Sequence, residues 1–481
     1  MSGYAELEGA LAAFLPRQRW FAGKDRPLGE VRVEASVPLR TALPSLHAMV
    51  AAVAYADGGV ERYHLPVGHD RGVEARQLAE RCPEAVIQRS GSSRHGVFYD
   101  AVRDERLGAV YLDLMWRGAT LEQLRFHRAP AGGAWNETLR GPGRLLGAEQ
   151  SNSSLVFGDK LILKLFRRLQ PGENPELEVT RALAAVGFDA CAPPLGWIEG
   201  LGSTLGVLQP YYAGSVEGWR LATERAGRHY QAPGGDPGNF AGEARALGLL
   251  TAALHAALGE ALPKVTQGQP DLERLGARLL GQLAQAAELV PALRPVRDAI
   301  RATYAQALAA LEASLGGVRL QRIHGDYHLG QVLRVGPRWI VIDFEGEPAR
   351  SLEVRRALAS PLQDVAGMLR SFDYAAFQPL LERGLDEGRR RAMEAAASRW
   401  VEANRAAFLD AYLARATQGR DGWVPPHHEL LLRAYELDKA VYELLYELRH
   451  RPAWLQIPLG GIYRLLGEPL PEPGIADLQS S

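Results

Sequence analysis

Cysteine is scarce: Cys82 and Cys191 are the only two in 481 residues. That number supports neither a disulfide framework nor a cysteine-rich zinc site. Long apolar runs are missing too. No stretch reaches the roughly twenty residues that cross a bilayer, so no membrane partner is expected. The opening Met-Ser-Gly-Tyr-Ala-Glu-Leu-Glu has no basic segment followed by an apolar one, so no secretory leader is expected and the chain reads as cytoplasmic. An excess of one charge is also lacking. The formal net charge is −1, which argues against broad electrostatic binding of nucleic acid. No fixed-period repeat is present. What remains is ordinary for a soluble globular protein, with 47% hydrophobic and 23% charged residues. One compact core rarely grows to this length, so two or three domains are expected.

Residues 1–88 read as a small α+β unit. A helix over 4–14 precedes the half-buried alternation Val-Arg-Val-Glu-Ala-Ser-Val at 31–37, and residues 47–67 read as a hairpin turning at Asp57-Gly58-Gly59. Residues 95–102 look like a further strand, and the run from Arg106 to Gly118 continues a sheet-like pattern. Residues 89–208 are strand-rich. Two strands meet at Gly158-Asp159, and a helix follows with Asn174 placed to cap it, Pro175 at its first position and Glu176 in its first turn. From 209 to 481 the periodicity is mostly helical.

The main strand-like interruption of the helical part is His-Gly-Asp-Tyr-His-Leu-Gly-Gln-Val-Leu, starting at His324, followed by Trp-Ile-Val-Ile-Asp-Phe-Glu-Gly, ending at Gly346. Phosphoryl transfer needs a carboxylate near the attacking hydroxyl and oxygen ligands for Mg2+ on the nucleotide. Asp326 in its polar loop suits the first need. Gln331 and Asp343, the latter at the end of an apolar run, suit the second. A competing reading takes His324, Asp326 and His328 as metal ligands, but no matching histidines follow downstream. A turn cap and a plain strand end would be the bland account of either aspartate alone.

These stretches resemble the catalytic and metal loops of the aminoglycoside-phosphotransferase-like kinases. Within that superfamily, the N-terminal FLPRQRWFAGKDR, the segment IDFEGEPARSLEVRRALASPLQDVAGMLRSFDYAA and the C-terminal YELDKAVYELLYELRHRPAWLQIPL are similar to the bacterial maltokinases. The resemblance implies an α+β, bilobal protein-kinase-like fold. It has a cap subdomain at 1–88, a nucleotide-binding strand-rich lobe at 89–208 and a helical lobe at 209–481 carrying the catalytic loop and sugar site. It implies ATP-dependent phosphorylation of maltose at its anomeric hydroxyl, feeding α-glucan synthesis, with a trehalose synthase as a separate partner protein. Asp326 matches the catalytic base, and Gln331 and Asp343 match the Mg2+ ligands. The broader superfamily has Asn where Gln331 stands; the maltokinases share the Gln.

Further assignments follow from the same resemblance. Lys164, at the end of Leu-Ile-Leu-Lys, matches the lysine that steadies the nucleotide phosphates. Glu178 is its expected helix partner, with Glu176 as the second choice. Residues 149–154 lack a Gly-x-Gly-x-x-Gly pattern, yet Ser151, Asn152, Ser153 and Ser154 are expected to lie along the phosphates. Gln209 and Tyr211 fall where the adenine hinge belongs. For the sugar, Tyr374, Glu436, Lys439, Tyr442 and Trp454 are expected to act together. On a helix, Tyr435, Lys439, Tyr442 and Tyr446 share a face, although an aromatic stripe at that spacing also suits a core. The alternatives are a relative acting on glucosamine or another amino compound, for which Glu345, Glu347 and Asp373 offer carboxylates to hold an ammonium, and a catalytically dead kinase fold used for binding.

Overall fold

A computed structural model describes residues 5–89, 96–130, 141–147, 151–231, 236, 238–313, 318–347, 350–381, 386–417, 423–425 and 427–469. The chain divides into two compact units, Met1–Arg181 with Ala192–Ala213, and Ala182–Cys191 with Gly214–Ser481. Among the described residues no helix is long and apolar enough to cross a membrane.

The first unit holds two antiparallel sheets. Helix α1 (Ala5–Phe14) precedes β1 (Leu28–Arg40), β2 (Ser45–Tyr55) and β3 (Val60–Asp70). The β2–β3 turn falls where Asp57-Gly58-Gly59 predicts it, with Gly58 at a φ of 84° that only glycine adopts freely. After α2 (Gly72–Arg81) come β4 (Val86–Arg89) and β5 (Val97–Asp100), and β5 pairs with β3. The first sheet therefore runs past residue 88. Its apolar face closes on Leu11, Phe14, Trp20 and Phe21.

The sheet-like reading of Arg106–Gly118 is corrected by α3 (Glu105–Trp116). Asp104 caps it by accepting from the Arg106 amide. Leu107, Tyr111, Leu114 and Met115 are buried along it, a helical spacing. The continuous apolar run Ala-Val-Tyr-Leu masks that longer period.

The second sheet is built from β6 (Thr120–Leu121), β7 (Leu124–Arg128), β8 (Arg144–Leu146), β9 (Asn152–Phe157) and β10 (Leu161–Phe166). The short β11 (Arg168–Leu169) and helix α4 (Pro175–Ala185) follow, then β12 (Gly196–Gly200) and β13 (Ser203–Pro210). Its order is β6-β7-β12-β13-β10-β9-β8, while β11 joins the first sheet beside β3. Gly158 and Asp159 turn β9 into β10 with φ of 52° and 49°, the left-handed pair that matches strand twist. Asn174 caps α4 through its side-chain oxygen, 2.8 Å from the Glu176 amide.

The second unit is mostly helical: β14 (Val216–Glu217), α5 (Gly218–Gln231), α6 (Ala241–Ala261), β15 (Lys264–Thr266), α7 (Gln269–Leu289), α8 (Arg297–Ala313) and β16 (Arg319–Gln321). Then come β17 (Val332–Val335), β18 (Arg338–Val341), α9 (Leu352–Arg356), α10 (Leu362–Leu381), α11 (Glu387–Ala416), α12 (His428–His450) and α13 (Gln456–Leu466). A core of leucine, alanine and tyrosine side chains from α7, α8, α12 and α13 fixes α12 in place. The small sheet β14-β17-β18 holds the strand that ends just before Asp343.

Candidate active site

In the first unit, β10 carries Lys164 opposite Ser154 of β9 and Val207 of β13. Its ammonium lies 3.8 Å from the carboxylate of Glu176. Glu176, the second choice from the sequence, is thus a partner of Lys164. Two residues along a helix turn a side chain by about 200°, and it is Glu176 that is buried. Gln209 fixes the Glu176 carboxylate by donating to it at 3.0 Å and to the Ala192 carbonyl at 3.0 Å. The sequence places Gln209 at the adenine hinge; its side chain has a structural role.

Ser151 is exposed and Asn152 half-buried at the start of β9. Ser153 and Ser154 face inward: Ser153 accepts from Arg167 Nε at 2.8 Å, and Ser154 is fully buried. Glu149 and Gln150 lie outside the described residues. The Tyr211 amide donates to the Lys160 carbonyl at 2.7 Å, which ties the end of β13 to the hairpin.

In the second unit, the loop from His324 to Gln331 is held by its backbone. Asp364 on α10 accepts from the His324 amide at 2.8 Å and the Gly325 amide at 2.9 Å, and is itself 3.1 Å from His255 Nε2. Gly325 takes a φ of 84°. Gly367 lets α10 approach, because a Cβ there would meet the Tyr327 carbonyl at 2.6 Å. His324 is not arranged as a metal ligand. Its Nε2 lies 3.0 Å from the Ile342 carbonyl and its Nδ1 lies 3.4 Å from the Asp326 amide nitrogen, so both ring nitrogens face backbone groups.

This frame presents Asp326. Its carboxylate lies 3.7 Å from Lys439 Nζ on α12 and 3.8 Å from His328 Nε2. The same ammonium reaches Glu347 at 3.6 Å. Burial pushes the Asp326 carboxyl up, but Lys439 first, then His328, His324 and Arg350, pull it below the usual aspartate range. Glu347 moves the other way: burial and the Asp326 charge raise it against the pull of Lys439. Burial would lower the Lys439 ammonium; Asp326, Glu347 and Glu443 outweigh that and raise it. The result is a half-buried ionised carboxylate beside a firmly charged lysine.

Gln331 and Asp343 are brought together as expected from their spacing. Gln331 Nε2 lies 3.3 Å from Asp343 Oδ2, and the Ile342 amide donates to the Gln331 carbonyl at 3.0 Å. Asp343 adopts a φ of 66°, an uncommon backbone state for a residue other than glycine. Among the described residues, no group of three or more His, Cys, Asp or Glu side chains could hold a metal alone. An amide oxygen and one carboxylate are nevertheless hard oxygen donors of the kind that bind Mg2+ jointly with nucleotide phosphates. Turning the Gln331 amide would present its oxygen beside Asp343.

A cavity of ≈ 550 Å³ opens beside Asp326, lined by Glu347, Arg350, Tyr435, Asp438, Lys439 and Tyr442 among others. The α12 stripe read from sequence therefore reaches this cavity through Tyr435, Lys439 and Tyr442. Three other expected sugar residues are not among its lining. Glu436 is buried in a two-pronged pair with Arg405, at 2.6 and 3.0 Å. The Tyr374 hydroxyl donates to Glu447 at 3.1 Å. Trp454 packs on Tyr374 and under Arg451. Arg350 and Asp364 were not assigned site roles from the sequence, and Glu347 only one under the amino-sugar alternative. The acidic run after Asp343 signals Glu347; for Asp364 the only signal is one acid among apolar residues.

A family model described as the maltokinase N-terminal cap domain matches residues 14–104. Another, described as the phosphotransferase enzyme family, matches residues 143–426. The chain is 30% identical over 459 residues to a glucosamine kinase of Streptacidiphilus jiangxiensis, covering 92% of this chain and 95% of that protein. It is 29% identical over 346 residues to a glucosamine kinase of Mycolicibacterium smegmatis, covering 69% of this chain and 82% of that protein. A solved glucosamine kinase in complex with glucosamine, ADP and inorganic phosphate shares the fold, with a TM-score of 0.67, 24% identity and coverage of 95% of this chain and 99% of that one. The chain therefore belongs to the phosphotransferase enzyme family, with the mixed helix-and-sheet kinase fold of that family and a maltokinase N-terminal cap domain ahead of it.

Proposed function

We propose that this protein transfers the γ-phosphoryl group of ATP to the anomeric hydroxyl of maltose, giving maltose 1-phosphate and ADP. The observation that carries this reading is the cavity beside Asp326. Its volume of ≈ 550 Å³ falls within the range of small-molecule sites, about 300–1,000 Å³. Its wall carboxylates also already face cations or buried donors. Asp326 and Glu347 share Lys439, Asp438 binds Arg278, Asp271 binds Arg274, and Asp364 holds His255 and two amides. Such a wall suits a neutral polyol better than an ammonium. The resemblance of the α12 segment to the maltokinases points the same way.

In this reading Asp326 orients the sugar hydroxyl and accepts its proton as the new P–O bond forms. Lys164, steadied by Glu176, holds the nucleotide phosphates. Gln331 and Asp343 would hold Mg2+, which offsets phosphate charge when bound. Positioning and electrostatics supply most of the rate in such reactions.

A second reading, transfer to glucosamine, is favoured by the names of the full-length relatives. Purified protein with Mg-ATP and separate maltose, glucose and glucosamine decides between them. Turnover of maltose to a product phosphorylated at the anomeric carbon is expected. Turnover of glucosamine alone would replace the maltose reading and leave the kinase assignment standing.

The charge arrangement yields a pH prediction. Because Lys439 keeps Asp326 ionised below the usual aspartate range, kcat/KM should show no acid limb from Asp326 between neutral pH and that range. In Lys439→Met the burial effect loses its main opponent. The carboxyl then rises, and an acid limb should appear at higher pH. A pH–rate profile unchanged by the substitution would remove Lys439 as the controlling cation.

A further inference from the structure

The cavity beside Asp326 extends well beyond the reacting group. Two helices line it over seven-residue spans: α12 with Tyr435, Lys439 and Tyr442, and α7 with Asp271 and Arg278. At the rise of an α-helix each span is about 10 Å, longer than one pyranose ring. The wall thus passes from the Asp326 loop, over α12, to the corner between β15 and α7.

Two unmet hydrogen-bonding groups stand on this wall, Gln267 at the corner and Arg278 further along α7. Gln267 is only 4% exposed. Its backbone amide is tied to the Val318 carbonyl at 2.8 Å, yet its side-chain oxygen has no partner. Arg278 binds Asp438 through Nη1, and Gln282 occupies the other Asp438 oxygen at 3.0 Å. Arg278 Nη2 is buried and unpartnered. Both residues line the cavity. A buried polar atom with no partner calls for an occupant or a reason. One group here requires a donor and the other an acceptor, and a sugar hydroxyl is both at once. Asp438 already neutralises Arg278, so an anion is not the natural occupant.

We propose that Gln267 and Arg278 form a distal subsite for the second glucosyl ring of a disaccharide acceptor, and so set the preference for maltose over a single sugar. This rests on the maltose reading above. The two residues are specificity determinants on the cavity wall, remote in sequence from the loop that carries Asp326.

The test uses the full chain with Mg-ATP, two variants and two acceptors. Gln267→Leu keeps the side-chain bulk and removes the oxygen. Arg278→Lys keeps a cation opposite Asp438 and removes the second nitrogen. The KM for maltose is expected to rise roughly three- to tenfold in the first and roughly tenfold or more in the second. In both variants kcat, the KM for Mg-ATP, and turnover with whichever of glucose or glucosamine the wild type accepts should hold. A fall in kcat, an equal loss with the monosaccharide, or an unchanged KM for maltose would each overturn the subsite. Wild-type turnover of glucosamine without maltose would overturn the maltose reading and the subsite together. Wild-type turnover of maltose with unaltered variants would overturn the subsite alone.

Discussion

Asp326→Asn is expected to lower kcat by roughly 10²- to 10⁴-fold and to leave the thermal stabilisation by Mg-ATP near its wild-type value. The substitution is nearly isosteric, and an amide cannot accept the hydroxyl proton. The loop should keep its shape, because its anchors do not involve this carboxylate. Asp364 holds the His324 and Gly325 amides, and the His324 ring faces the Ile342 carbonyl. Lys439 retains Glu347 as a partner. Retained turnover would show that Asp326 does not take the proton. Lost nucleotide stabilisation would show that the substitution had damaged more than proton transfer.

Arg370→Met is expected to cost about 3–5 kcal/mol of stability, as for removal of one partner from a buried ion pair. Arg370 is fully buried on α10. Its Nε and Nη2 donate to Glu443 on α12 at 3.0 and 2.8 Å, and Nη1 binds Asp373. Asp373 has a second partner in Arg464 of α13 at 3.1 Å. Gly461 makes room for the guanidinium, since a Cβ there would meet Arg370 Nη1 at 2.2 Å. Removing Arg370 strands the Glu443 charge, so the double change Arg370→Met with Glu443→Leu should recover much of the loss. Urea melts of the single and double variants measure both effects. A loss below about 1 kcal/mol would place this network with solvated surface pairs.

The parts of the site legible in the sequence were those fixed by neighbours along the chain. Asn174 and Pro175 mark the start of α4, Gly158-Asp159 marks a hairpin, and Asp326, Gln331 and Asp343 share one loop–strand–loop segment. The α12 stripe was also readable, because Tyr435, Lys439 and Tyr442 recur at helical spacing. Spacing could not say which polar side chain on that helix meets a partner from elsewhere. Glu436 is matched by Arg405, and Tyr374 by Glu447 across 73 positions. The choice between Glu176 and Glu178 depended on helix rotation relative to Lys164. Arg106–Gly118 failed for another reason: a short continuous apolar run suits either period, and only the Asp104 cap and the full-length stripe favour the helix.

Strand β11 has a consequence for how such a protein is inherited. The chain leaves the second sheet at Phe166 and is paired with β3 of the first by Arg168. Between them Arg167 is fully buried, bound to Asp100 at 2.6 Å and to Ser153 at 2.8 Å, with its guanidinium 4.6 Å from the Trp20 ring. The cap sheet is therefore completed by residues that lie beyond the β9–β10 hairpin in sequence. Recombination between related genes at the end of the cap would separate Asp100 from Arg167 and β3 from β11. Each product would set β3 and Asp100 of one parent against β11 and Arg167 of the other, across a strand ladder and a buried ion pair. Exchanging cap and hairpin together keeps both contacts within one parent's sequence.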